Sequence, residues 1–226
     1  MNFPTIDIKQ KDLTFAVRPD TSDAFVVREV WSGEYRRLNI TPGDVICDFG
    51  MNISAFSHWA CTRGAGHVYG FEPDPDNFQL AQHNILTNGF AGRITAFEQA
   101  VVGNQDTTRD FSINNHRNKG AHSLVAKRGR STITVACRNI QDILDAYQPD
   151  IVKMDIEGGE IECLPAITQW HKCRELILEF HHAHLNDIKT HSLYNSTLQL
   201  LRTQWSKVEA RQDTKGAWVN IIYCQR

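Results

Sequence analysis

Short apolar runs alternate with amphipathic stretches through the first half of the chain. The run Val45-Ile46-Cys47 within DVICDFGMNIS (44–54) predicts a strand buried on both faces of a parallel sheet. It ends in Asp48-Phe49-Gly50-Met51-Asn52, and SAFSHWACTRG (54–64) follows with a helical pattern. HVYGFE (67–72) predicts a second strand. PDPDNFQLAQHNILTNG (73–89) predicts a helix opened by prolines and Asp76 and closed by Asn88-Gly89, with Phe78, Leu80, Ala81, Ile85 and Leu86 at helical spacing. RITAFEQAVV (93–102) predicts a third strand, completing one Rossmann-like half.

Ahead of this unit the pattern is weaker. Residues 1–20 alternate only loosely, and DAFVVREVWSGEYRRL (23–38) predicts a helix that Gly33 breaks or ends. ITPGD (40–44) is a turn. Beyond the unit the alternation breaks: TTRDFSI (107–113) and STITVAC (131–137) predict a hairpin joined by the polar stretch NNHRNKGAHSLVAKRGR (114–130). NIQDILDAYQ (139–148) is then a short helix. IVKMD (151–155) is a strand ending in Asp155, with Glu157-Gly158-Gly159 opening the next helix. ELILEFHHAHL (175–185) is a fifth strand, with Glu179 and His181 near its carboxyl end, and SLYNSTLQLLRTQW (192–205) is an amphipathic helix. KVEAR (207–211), a turn at Asp213–Gly216 and AWVNIIYC (217–224) predict one antiparallel strand on an otherwise parallel sheet. The expected organisation is a helical and extended lead-in over 1–40 and a single domain over 41–226, with the hairpin inserted at about 106–137.

Composition narrows the function classes. At 226 residues the chain suffices for one domain that buries about 70% of its unfolded surface. A net charge of −2 argues against general nucleic-acid binding. The six cysteines are scattered without a C-x-x-C pair and several fall in apolar runs, so buried free thiols and a reducing compartment are expected. The N-terminus has no apolar signal region and no run approaches a membrane span, which predicts a cytoplasmic protein. From Phe111 through Gln141 there is no acidic residue, whereas Arg117, Lys119, Lys127, Arg128, Arg130 and Arg138 are all present. This stretch reads either as a solvated hairpin or as a flap that meets an acidic or phosphorylated substrate. In the second case Arg117, Lys119 and Ser123 are candidate acceptor contacts.

The chemistry concentrates at strand ends, where doubly wound sheets bind their ligands. An acidic Asp48 at the end of the first strand repels a pyrophosphate and attracts a cation. Glu72, at the end of the second, is placed to accept both hydroxyls of a ribose. A cationic ligand carrying a ribose describes S-adenosylmethionine. The plainer alternatives are that Asp48 hydrogen-bonds its own turn and that Glu72 caps the helix near Pro73. A nicotinamide-dependent oxidoreductase would share the sheet, but its fingerprint needs G-x-G-x-x-G where this chain has D-F-G-M-N-I-S.

Three motifs, PGDVICDFGMNIS (42–54), YGFEPDPDNF (69–78) and IVKMDIEGGE (151–160), resemble in order and spacing the core of the FkbM family of class I S-adenosylmethionine-dependent methyltransferases. SGEYRRL (32–38) is similar to the segment that often precedes that family's first strand. The resemblance implies an α/β Rossmann-like fold: a mostly parallel seven-stranded sheet with helices on both faces, an antiparallel last strand and an inserted β-hairpin. It implies that the backbone at Gly50 and Asn52 wraps the methionine part of the cofactor while Asp48 faces its amino group directly or through water. Glu72, Pro73 and Asp155 join that site, and Ala100, within 98–101, lies beside the adenine. Met51 and Ser54 depart from the family's alanine and second glycine, and Ser54 can cap the helix instead.

The implied reaction is methylation of a hydroxyl on a small molecule or saccharide, and the acceptor is anionic if the basic stretch is a flap and not a solvated hairpin. Such a nucleophile needs a proton acceptor. His181 is the preferred base, flanked by Asp155 and Glu157; the alternative is a structural histidine paired with Glu157 or Glu179. Asp155, Glu157, Glu179 and His181 are also a candidate ligand set for a divalent metal, but the spacing is not diagnostic and the metal-free reading is preferred. A methyltransferase fold that binds without turnover is a further alternative.

Overall fold

The protein is described from a computed structural model, which covers residues 3–113, 122–124, 131–181, 188–212 and 219–226. In chain order the elements are β1 (Ile6–Gln10), β2 (Leu13–Val17), α1 (Asp23–Glu29), a wide π-helical turn (Val30–Glu34), β3 (Val45–Phe49), α2 (Ala55–Thr62), β4 (His67–Phe71), α3 (Pro75–Thr87), β5 (Ile94–Phe97), β6 (Ala100–Val102), β7 (Thr108–Ile113), β8 (Ser131–Asn139), α4 (Ile140–Tyr147), β9 (Ile151–Met154), α5 (Glu160–Ala166), β10 (Glu175–His181), α6 (Ile188–Gln204), β11 (Lys207–Gln212) and β12 (Val219–Gln225).

Seven strands form the central sheet in the order β11-β12-β10-β9-β3-β4-β5. β10, β9, β3, β4 and β5 pair in parallel, and β12 runs antiparallel to both neighbours. Successive side chains of a strand face opposite ways, so the central strands feed two cores. Ile46, Ile151 and Ile177 join a cluster with Phe15, Met51, Trp59 and Leu80, which brings β2, α2 and α3 onto one face. Cys47, Phe49, Val152, Met154 and Leu178 join the other with Ile143, Leu164 and Leu201, from α4, α5 and α6. All six cysteines are buried and unpaired. Among the described residues no helix is long and apolar enough to cross a membrane.

Local signals set the helix ends. Asp74 caps α3 by accepting from Asn77 N at 2.8 Å, with Pro75 in the first turn. Asn139 caps α4 through Gln141 N and Asp142 N. Gly33, at φ +123°, ends the helical run that starts at Asp23.

Three expectations change. Residues 6–17 form an antiparallel hairpin, anchored where Asn84 Oδ1 accepts from Ala16 N at 2.8 Å and Asn88 Oδ1 accepts from Thr14 N at 2.9 Å. The third strand breaks at Glu98-Gln99: β5 stays in the main sheet, while β6 leaves it to pair with β8. The expected β7–β8 hairpin therefore becomes a three-stranded sheet with its own small core of Ala100, Val102, Phe111, Val135 and Cys137.

Candidate functional site

The carboxyl ends of β3, β4, β9 and β10 open onto a cavity of about 320 Å³. Its walls include Gly50, Asn52, Glu72, Pro73, Ala100, Asp155, Glu157, Glu179 and His181, nine of the residues singled out from the sequence. α1 supplies Phe25 and Val26 on the outer side, and the inserted sheet contributes Phe111, with His122 and Leu124 beside it.

The loop after β3 is drawn toward β4. Gly50 N and Met51 N both donate to Phe71 O, each at 3.0 Å. Asn52 (φ +52°) and Ser54 (φ +71°) take left-handed conformations, which turn the backbone into α2. Ser54 does not cap that helix, contrary to expectation; its hydroxyl donates back to Ile53 O. Met51 fits where the family has alanine because Gly70 faces it: a Cβ on Gly70 would lie 2.0 Å from the Met51 sulfur.

Glu72 is almost wholly buried. Oε2 accepts from Asn52 N at 2.8 Å and Oε1 from Asp74 N at 2.9 Å. Burial, and then the nearby Asp74 carboxylate, raise its pKa to about 7. Each oxygen retains acceptor capacity beyond its one backbone bond.

Asp48 is not on the cavity wall. It is fully buried beneath the loop, where Oδ2 accepts from Ser57 Oγ at 2.7 Å and Oδ1 lies 3.3 Å from Lys153 Nζ. Direct contact with a cofactor amino group is thus corrected: Asp48 holds a lysine that sequence reading passed over. Lys153 Nζ also donates to Gly50 O at 2.7 Å and lies 3.8 Å from Asp155. Burial works against its charge, but Asp48, Asp155 and Glu179 outweigh that and raise its pKa.

Glu160, also missed, shapes the DIEGG turn. Buried completely, it accepts from Ile156 N at 2.9 Å through Oε1 and from Gly158 N at 3.0 Å through Oε2. Oε1 lies 3.3 Å from His181 Nδ1. His181 Nε2 faces Glu157 Oε1 at 3.7 Å, Asp155 Oδ1 at 3.8 Å and Glu179 Oε2 at 4.0 Å. Burial disfavours a charged ring, yet Glu160, Glu157 and Asp155 together hold its pKa well above the ordinary imidazole range. His181, the base preferred from the sequence, thus stands on the cavity wall among four carboxylates.

Ser123 is buried and donates to Glu157 O at 2.6 Å, tying the insert to the site loop instead of presenting its hydroxyl to an acceptor. Arg138 packs over Tyr147, 5.1 Å from its ring centroid. Arg117 and Lys119, and with them Lys127, Arg128 and Arg130, lie outside the described residues.

The sequence signature of the FkbM methyltransferase domain matches residues 48–208. The chain is 24% identical over 125 residues to the hexuronic acid methyltransferase AglP of Haloferax volcanii, covering 55% of this chain and 50% of that protein. It is 24% identical over 235 aligned positions to the 31-O-demethyl-FK506 methyltransferase FkbM of Streptomyces tacrolimicus, covering 87% and 86%. The crystal structure of methyltransferase FkbM from Methylobacillus flagellatus KT superposes with a TM-score of 0.58 at 23% identity, over 86% of this chain and 47% of that one. The chain thus spans about half the length of the archaeal relative and of that solved structure, and the structural likeness shows a shared fold.

Proposed function

Because the chain belongs to the FkbM methyltransferase family, we propose that it is an S-adenosylmethionine-dependent enzyme that methylates a hydroxyl of a small molecule or saccharide. The observation that carries this reading is Glu72: a buried carboxylate on the cavity wall, fixed by two backbone N–H groups, with acceptor capacity left for two ribose hydroxyls. The rest of the cavity fits the same cofactor. Gly50 brings bare backbone to the wall, and Gln99 and Ala100 border the side next to β5, where an adenine would lie.

When bound, S-adenosylmethionine supplies an electrophilic methyl group carried on a sulfonium. The chain's part is to align an acceptor oxygen with that methyl and to provide for the hydroxyl proton. His181, Asp155, Glu157 and Glu179 are the titratable groups on the wall where that proton leaves. The names of AglP and of the FK506 enzyme support an acceptor that is a sugar acid or another hydroxylated small molecule.

Calorimetry with S-adenosylhomocysteine tests the cofactor site. Glu72→Ala should weaken binding by at least about tenfold, the loss of about 1.5 kcal/mol when two charge-assisted hydrogen bonds go. The pH dependence has a definite sign. Glu72 titrates near 7 in the free protein, and hydroxyl donors favour its ionised form. Affinity should therefore rise about tenfold from pH 6 to pH 8, and Glu72→Gln should flatten the profile. Stability of the free protein runs the other way: a folded pKa raised above the ordinary 4.5 contributes stability that is present at low pH and lost as pH rises through about 7. Affinity unchanged in Glu72→Ala would refute the assignment.

A further inference from the structure

We propose that Asp155, Glu157, Glu179 and His181 form a divalent-cation site on the cavity wall, which holds the acceptor hydroxyl beside the methyl donor. Its catalytic purpose rests on the methyl-transfer reading; the site itself does not. His181 Nε2 is ringed by three carboxylate oxygens at 3.7, 3.8 and 4.0 Å. These separations are too long for hydrogen bonds, and one N–H could not serve three acceptors at once. They approach the spacing of roughly 3–4 Å between neighbouring ligands around a shared ion whose bonds are about 2.0–2.6 Å. One atom each from Asp155, Glu157 and His181 falls within a 4.8 Å group.

A separate feature orients the ring. Glu160, fully buried and locked by Ile156 N and Gly158 N, holds His181 Nδ1 on the side away from the three oxygens. A carboxylate behind the second ring nitrogen is how proteins fix an imidazole that ligates through the first. Strand ends and one short turn carry all four ligands, so little reorganisation is needed. Lys153 lies 3.8 Å from Asp155 and is engaged with Asp48 and Gly50 O. Three carboxylates and one imidazole suit Mn²⁺ or Mg²⁺ better than the thiolate-seeking metals.

Such an ion would polarise the acceptor hydroxyl and lower its pKa. The proton then leaves to solvent water, the O–CH₃ bond forms as the S–CH₃ bond breaks, and sulfur departs as a neutral thioether. No side-chain base is required.

The test uses the full chain, stripped with chelator, and Mn²⁺ alone as the probe, followed by electron paramagnetic resonance. One Mn²⁺ per chain is expected, displaced by excess Mg²⁺. Binding should weaken by at least about a hundredfold in a His181→Ala, Glu157→Gln double variant and by about tenfold in Glu160→Gln, which misorients the ring. Should the double variant fail to fold, Glu157→Gln alone serves. S-adenosylhomocysteine affinity is the control, because it depends on Glu72. No Mn²⁺ binding at millimolar concentration, or binding unaltered by these substitutions, overturns the proposal. Cofactor binding without metal binding removes the ion and leaves methyl transfer standing, whereas loss of cofactor binding in the wild type removes the methyl-transfer reading itself.

Discussion

Replacing Lys153 by methionine should destabilise the protein by about 3–5 kcal/mol, although no acidic partner is removed. Asp48 and Lys153 sit side by side in the parallel register of β3 and β9, with the carboxylate wholly inside the protein. Methionine keeps the length of the side chain and withdraws the charge, so the buried Asp48 carboxyl is left with a single hydroxyl donor, Ser57. At this chain length the loss corresponds to a fall in Tm of about 10 °C. In the wild type the raised lysine pKa gives stability that is present below its ordinary value of 10.5 and lost only as pH climbs through the folded value. Adding Asp48→Asn to Lys153→Met should restore much of the stability, and a double-mutant cycle reads the coupling directly. Cofactor affinity should still suffer in the double variant, since Gly50 O has lost its donor. A single variant as stable as wild type would mean that the pair holds nothing together.

This pair also marks where sequence reading stops. The apolar runs that become β3, β4, β9 and β10 were legible because a strand covered on both faces has few polar positions to confuse its pattern. Asp48 and Asp155 were visible as strand-end acids for the same reason. Lys153, inside IVKM, looks like one polar interruption; only the register of two strands far apart in the chain sets it against Asp48. Glu160 reads as an ordinary first-turn acid, and its grip on Ile156, Gly158 and His181 depends on the fold of the turn. The β1–β2 hairpin was missed because its turn, with Lys11 at φ +54°, carries no glycine or asparagine, and because only Phe15, Ala16 and Val17 are buried. The break between β5 and β6 falls inside a run that alternates well enough for one strand. Asp48 is paired and turned away from the cavity, so its charge repels no pyrophosphate there; what remains against a dinucleotide is the missing glycine pattern, with Met51 and Ser54 in its place.

Gly50→Ala should be the most damaging substitution at the site that leaves every functional group in place. Gly50 lies at φ +78°, a conformation an alanine adopts only under strain. A Cβ there would fall 1.7 Å from Asp155 O and 2.8 Å from its carbonyl carbon. Those are backbone atoms at the end of β9, and Asp155 N is itself bound to Phe49 O at 2.9 Å, so the strands cannot part without breaking their junction. Strain and overpacking together should cost at least about 3 kcal/mol. Gly70→Ala offers a contrast. Its Cβ would meet the Met51 side chain and not backbone, so Met51→Ala should rescue it. No substitution at Asp155 can rescue Gly50→Ala, because the clash is with a carbonyl that every residue carries. Thermal unfolding of the two single variants and the Gly70→Ala, Met51→Ala double variant measures this difference. S-adenosylhomocysteine calorimetry at a temperature where all remain folded should show binding lost in Gly50→Ala and kept in the rescued pair. An alanine tolerated at position 50 would mean that the β3 and β9 ends are not in the contact from which the cofactor loop is built.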